Sequence, residues 1–150
     1  MSLTLQETVD EILARFKTAW DTTDYPNNVV YPDVPLSPTI QKMIAGVEGI
    51  ELQPWVRITV RPNIRRQKSL GDAGNRLYTR NGILFVELFV PTGDGSVESN
   101  ELAEVISNAF EGISSPYHVW FSETRILNNG TEGLWSRQTV TVEWESEQVK

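Results

Sequence analysis

The sequence predicts an α+β fold: a largely antiparallel or mixed β-sheet with two amphipathic helices packed on one face. Three observations carry that prediction. Apolar residues recur every three or four positions in two segments, Leu5–Trp20 and Leu102–Phe110. They alternate with polar residues in others, most plainly around Trp55–Arg61 and Thr139–Glu145. Short turn signals separate the later strands, so these follow one another as hairpins.

The first helix opens with Thr4 and Glu7, a capping box in which each side chain satisfies an amide of the other's backbone. Leu5, Val9, Ile12, Leu13, Phe16 and Trp20 form its apolar stripe, and Asp21–Asp24 with Pro26 end it. Val29–Tyr31 is a short extended piece before a region punctuated by Pro32, Pro35 and Pro38. Residues 39–47 read either as one or two helical turns or as part of an insertion, at about 39–53, of little structure.

From Trp55 the period is two: Val56, Ile58 and Val60 alternate with Arg57, Thr59 and Arg61. Pro62–Asn75 is polar and basic with two glycines, and reads as a long mobile loop. Leu77–Thr79 then leads to Asn81-Gly82, a tight-turn signal. Ile83–Val90 is apolar on both faces apart from Glu87, as a central strand would be. After a loop at Gly93 and Gly95 comes the second helix, with Leu102, Val105, Ile106, Ala109 and Phe110 as its stripe and Gly112 as its stop. Tyr117–Ile126 and Trp135–Glu145 are the closing strands, joined by a loop over Asn128–Gly133.

The chain has 150 residues, which suits one domain spanning 1–150. No apolar run approaches the roughly 18 residues of a membrane span, so no membrane partner is expected. Met1–Glu7 lacks the basic start and apolar core of a signal peptide, so export by that route is not expected. There is no cysteine, which removes disulfides and thiolate chemistry. Asn129-Gly130-Thr131 matches a glycosylation acceptor but reads as a turn.

The motifs give little support to catalysis or cofactors. The run "FVELFVPTGDGS" (Phe85–Ser96) has the order strand, glycine loop, helix that phosphate sites use. It lacks the lysine of a P-loop and the third glycine of a dinucleotide site, and Asp94, Glu98 and Glu101 would repel an anion. His118 is the only histidine, so the usual zinc sets cannot be assembled. Nor is there a G-x-S-x-G nucleophile elbow. No enzyme activity, cofactor or metal is expected.

Charge is more informative. Between Arg57 and Arg80 seven basic residues face one acid, Asp72, giving 7 − 1 = +6; the whole chain is −7, so the remainder carries −13. Such polarity favours head-to-tail contact between basic and acidic surfaces of neighbouring copies. Arg61, Arg65, Arg66 and Lys68 are therefore candidate interface residues. Three readings of that basic segment stand: a solvated loop, a contact for an acidic protein, or a nucleic-acid contact. The segment has no aromatic residue for base stacking, and sequence-specific nucleic-acid binding is not expected. Trp20 and Trp144 fall on core positions, whereas Trp55 and Trp135 lie on more polar rows and are candidate interface anchors.

Taken in order, these pieces resemble the phage tail terminator-like proteins, the tail completion proteins of long-tailed bacteriophages. The resemblance runs through the helix ending near Trp20, "NVVYPDVPLSP" (Asn28–Pro38), "PWVRITVRP" (Pro54–Pro62), "RNGILFVELFVPTGDGS" (Arg80–Ser96), "ELAEVISNAF" and "GLWSRQTVTVEW" (Gly133–Trp144). The extra residues around Thr39–Gln53 depart from the shorter pattern. The resemblance implies a non-enzymatic protein of the virion tail, assembled in the bacterial host cytoplasm. It implies a homo-oligomeric ring, commonly a hexamer, that stops tail-tube polymerisation and offers a surface for joining the head. Its implied partners are further copies of itself, the tail tube protein and a head-tail connector or neck protein. A neck or head-closure connector and a nucleic-acid-binding accessory protein are the alternatives.

Overall fold

The computed structural model describes residues 4–67, 71, 74, 76–93, 97–111 and 119–149, without the side chains of 64–67. The described elements run α1 (Leu5–Trp20), β1 (Val29–Val30), α2 (Pro38–Ala45), β2 (Trp55–Gln67), β3 (Leu77–Pro91), α3 (Val97–Phe110), β4 (Val119–Glu132) and β5 (Trp135–Val149). They form an α+β fold around one five-stranded sheet of order β1-β2-β3-β5-β4. All neighbours are antiparallel except β1 and β2, so the sheet is mixed. β3 is its central strand, as the two-faced apolar run implied.

Helix α1 begins as expected. The Thr4 hydroxyl accepts from the Glu7 amide at 3.2 Å, and the Glu7 carboxylate accepts from the Thr4 amide at 3.3 Å. Its buried residues are Thr8, Ile12, Phe16 and Trp20, one per turn along a single face. Leu5 stays outside that stripe, and Thr8 takes the first inward place, its hydroxyl 3.3 Å from that of Ser146 on β5. Trp20 ends the stripe with its indole N–H donated to the Tyr25 carbonyl at 2.7 Å. Helix α3 lies against the same sheet face through Leu102, Ala103, Ile106 and Phe110. These two helices cover the inward residues Val56 and Ile58 of β2, Leu84–Val90 in alternation on β3, and Val140, Val142 and Trp144 on β5.

A third helix departs from the two expected. In α2, Ser37 caps the amide of Ile40 at 3.3 Å, Pro38 occupies the first turn, and Gly46 closes the helix at φ 67°. Residues 39–45, read as either helix or unstructured insertion, are therefore helical. Ile40 and Met43 pack with Trp55, Phe89 and Trp135, which belong to the opposite sheet face from the main core.

Three turn or loop expectations are corrected. Residues 62–67 are not loop: β2 continues through Gln67, with Arg65 opposite Arg80 and Arg66 opposite Thr79. The reason is that this end of the β2–β3 ribbon has little apolar surface to bury, so no period-two signal marks it. Arg61, Pro62 and Asn63 are all exposed. Pro62 is accommodated beside a register shift, on the side of β2 that the two-residue β1 leaves as an edge.

Asn81-Gly82 is not a turn but the middle of β3, where Gly82 lies opposite Pro62 and Trp144. A Cβ on Gly82 would strike the Arg61 carbonyl oxygen and lie 2.5 Å from Cζ2 of Trp144. Close approach of the Arg61 carbonyl and the Trp144 indole, not a bend, requires this glycine.

Nor is Asn128–Gly133 a loop. β4 runs to Glu132, Gly130 sits at φ 79° in a bulge after Asn128, and the chain reverses at Gly133 and Leu134. Asp94 and Gly95 of the loop before α3, the stop at Gly112, and His118 lie outside the described residues.

Candidate functional site

Strand alternation divides the sheet into two surfaces. The even-numbered residues of β2, β3 and β5 form the helix-covered core. The odd-numbered ones form a second face on which α2 covers only one end. That second face is the candidate interaction surface.

Under α2, Trp55 stacks on Phe89 with centroids 4.1 Å apart and planes at 6°, and Trp135 meets Trp55 edge-on at 6.2 Å and 90°. Trp55 and Trp135 were expected on polar rows; both are buried instead. The rows are polar beyond this point, but α2, which periodicity did not tie to either face, closes over their first residues. Both indole N–H groups are buried without a hydrogen-bond partner among the described residues. Beside them opens a cleft of about 530 Å³, lined by Ile44, Leu134, Arg57 and Arg137 as well as the two tryptophans. Ile44 and Leu134 are 43% and 47% exposed, so the apolar rim faces outward.

A charged hub borders this cleft. Glu87, the one charged residue in the central apolar run, accepts from Arg57 at 2.9 Å and from Arg137 at 3.2 Å on the same oxygen. Arg137 also reaches Glu132 at 2.7 Å, across the β4–β5 turn. Hydrogen bonds to Glu132 and then to Glu87 push the Arg137 guanidinium still further above its ordinary pKa. Both arginines lie near the Phe89 ring, at 5.8 and 5.2 Å from its centroid. Farther along the face, a smaller cleft of about 260 Å³ runs between Thr59, Arg61, Phe85 and Thr139, and Arg61 covers Phe85 at 5.3 Å.

The fold thus brings Trp55 and Trp135 together and places Arg61 on the same face. Arg65 and Arg66 belong to β2, their side chains undescribed, and Lys68 lies outside the described residues. Phe89, Glu87, Arg57 and Arg137 were missed as site residues. The available signal was Glu87 itself, a single carboxylate in an apolar strand with an arginine in each neighbouring strand.

Chemically, the face offers aromatic surface, indole donors and compensated charge. Among the described residues no three His, Cys, Asp or Glu side chains are grouped to hold a metal ion. No described helix is long and apolar enough to cross a membrane.

The model of a family described as phage tail terminator protein matches residues 9–144. The chain belongs to that family. This terminator is accordingly a bacteriophage tail protein with a structural role in tail assembly, and its place is in the virion tail. The match embraces both helix-bearing faces, the aromatic cleft and the charged hub. A solved structure is similar to the chain, with a TM-score of 0.66 and 14% identity over 96% of each chain. At that identity the likeness shows the terminator's fold alone. No curated protein matches it.

Proposed function

We propose that this terminator forms a homo-oligomeric ring, a hexamer, at the end of the tail tube. There it stops tube polymerisation and presents the surface to which the head is joined. Its partners are other copies of itself, the tail tube protein and a head-tail connector or neck protein, and assembly takes place in the host cytoplasm. The observation that carries the reading is the family match across residues 9–144. The half-open sheet face adds support, because a surface with exposed Ile44 and Leu134 around buried tryptophans has the composition of a protein-binding patch. A ring needs unlike surfaces to meet in a fixed direction, and the +6 segment against the −13 remainder supplies unlike surfaces.

The direct test adds purified protein to polymerising tail tube subunits and measures tube lengths by electron microscopy. Capped tubes that stop lengthening are expected, with a ring at one end. Tubes that grow at the same rate and to the same lengths with and without the protein would refute termination.

A further inference from the structure

We propose that the groove on the open sheet face receives the outer stripe of α3 from a second copy of this chain. This rests on the ring reading and specifies its junction. The two clefts described above share Arg137 in their linings, so they form one groove. It leads from the apolar rim at Ile44 and Leu134, past Arg57 and Glu87, to Arg61 over Phe85.

The occupant is marked on the other side of the molecule. Leu102, Ile106 and Phe110 turn α3 toward the main core. Val97, Glu101, Glu104, Asn108 and Glu111 are all exposed. At 3.6 residues per turn these five lie within about 40° of one line along the helix. The spacing holds to the last of them, because the Glu111 amide donates to the Ser107 carbonyl at 2.9 Å. Val97 is 68% exposed, more than any other large apolar residue described. The stripe is thus one apolar knob followed by three carboxylates and an amide.

Length and charge fit the groove. Val97 to Glu111 spans about 21 Å of helix, and Trp55 to Arg61 spans about 20 Å of strand. With Val97 seated between Ile44 and Leu134, Glu101 and Glu104 come level with Arg57, and Glu111 with Arg61. The groove carries Arg57, Arg61 and Arg137 against Glu87 and Glu132, which is 3 − 2 = +1, while the stripe carries −3. Glu87 does not oppose the incoming carboxylates, since two arginines already hold it. Among the described residues Arg61, Glu101 and Glu104 have no ion-pair partner within their own copy. Glu143 lies two strands from Arg61, roughly 10 Å away, where its repulsion is screened.

The contact also gives the ring a direction. The helix layer and the groove lie on opposite sides of the sheet, so each copy offers one and receives the other. Such a junction joins unlike surfaces, propagates one way, and closes when the rotation between copies completes a circle.

Because the chain has no cysteine, the docking can be trapped at chosen positions. Full-length V97C and L134C variants, mixed and mildly oxidised, should give a disulfide-linked pair containing one of each, and neither should cross-link alone. The V97C/L134C double variant should give a ladder of covalent multimers. In light scattering, R61E should weaken association roughly tenfold, as expected when an opposite-charge pair becomes a like-charge pair, and R61E/E111R should restore it. Rings that form without V97C–L134C cross-links, or a double charge swap no better than R61E, would overturn this docking and leave the ring standing. L134C that cross-links instead to cysteines introduced on the tail tube protein would give the groove to that partner and overturn docking by a second copy. Protein that stays monomeric at high concentration and on tube ends would overturn the ring, and the docking with it.

Discussion

The two faces of the sheet are built from the same strands and differ in what completes them. On the even-numbered face, α1 and α3 bring Ile12, Phe16, Trp20, Leu102, Ile106 and Phe110 onto largely apolar strand rows, and little is left for another molecule. On the odd-numbered face, α2 shields only Trp55, Phe89 and Trp135, and the rows continue as Arg57, Glu87, Arg137, Thr59, Arg61 and Thr139. The first face holds the fold together. The second combines buried aromatics beside an exposed apolar rim with a compensated charge cluster, which suits recognition better than stability. The contrast teaches where to expect separable effects: core substitutions should act on folding, and substitutions on the open face should act on assembly.

The largest expected effect tests the first half of that contrast. Phe16→Ala empties a fully buried site against the sheet and should lower unfolding free energy by about 3–5 kcal/mol, read by urea denaturation. A loss below about 1 kcal/mol would show that α1 contributes little to the main core.

Gly82→Ala comes next. Its methyl meets the Arg61 carbonyl and the Trp144 indole from the covered side, and overpacking there should cost roughly 1–3 kcal/mol. The thermal midpoint should fall accordingly, and Gly82→Ala combined with Trp144→Phe should recover part of the loss. Equal loss in both would mean the backbone contact, not the indole, demands glycine.

Glu87→Gln probes the open face. It leaves Arg57 and Arg137 without their shared carboxylate, but the pairs are partly solvated, so the cost should be only about 0.5–1 kcal/mol. That cost should shrink further at high salt. A loss as large as that of Phe16→Ala would erase the proposed division between the faces.

Ile44→Ser should have the smallest effect on stability, within about 0.5 kcal/mol, because the residue is already 43% exposed at the cleft rim. Its effect on tube termination should nonetheless be clear in the tube-length assay. Unchanged termination would remove the cleft rim from the recognition surface.

Much of the covered face was legible in advance, since burial there imposes a period. The helical stripe through Ile12, Phe16 and Trp20 and the alternation of Val56, Ile58, Val140 and Val142 each point one way. The misread segments share a different property. Residues 62–67 and 128–132 are strand held by backbone pairing, while their described side chains are exposed, so nothing periodic marks them. Turn chemistry misled for a related reason. Asn81-Gly82 and Asn128-Asn129-Gly130 look like turns because glycine serves close approach and bulges as readily as it serves reversals.

The candidate site was half visible. Trp55, Trp135 and Arg61 could be singled out by residue type, and Glu87 stood out in its apolar run. Their meeting depends on β2, β3 and β5 lying side by side, with 55 opposite 89, 57 opposite 87 and 87 opposite 139, in a register that no local pattern specifies.

The sequence by itself determined the fold class, the central strand, both long helices and the uneven charge, because each follows from local periodicity or composition. Only the tertiary structure decided which sheet face α2 covers, which arginines share Glu87, and which strand edges remain open. Those outcomes are set by pairings between residues 25 to 50 or more positions apart, where the energy lies in contacts rather than in any one segment's preference.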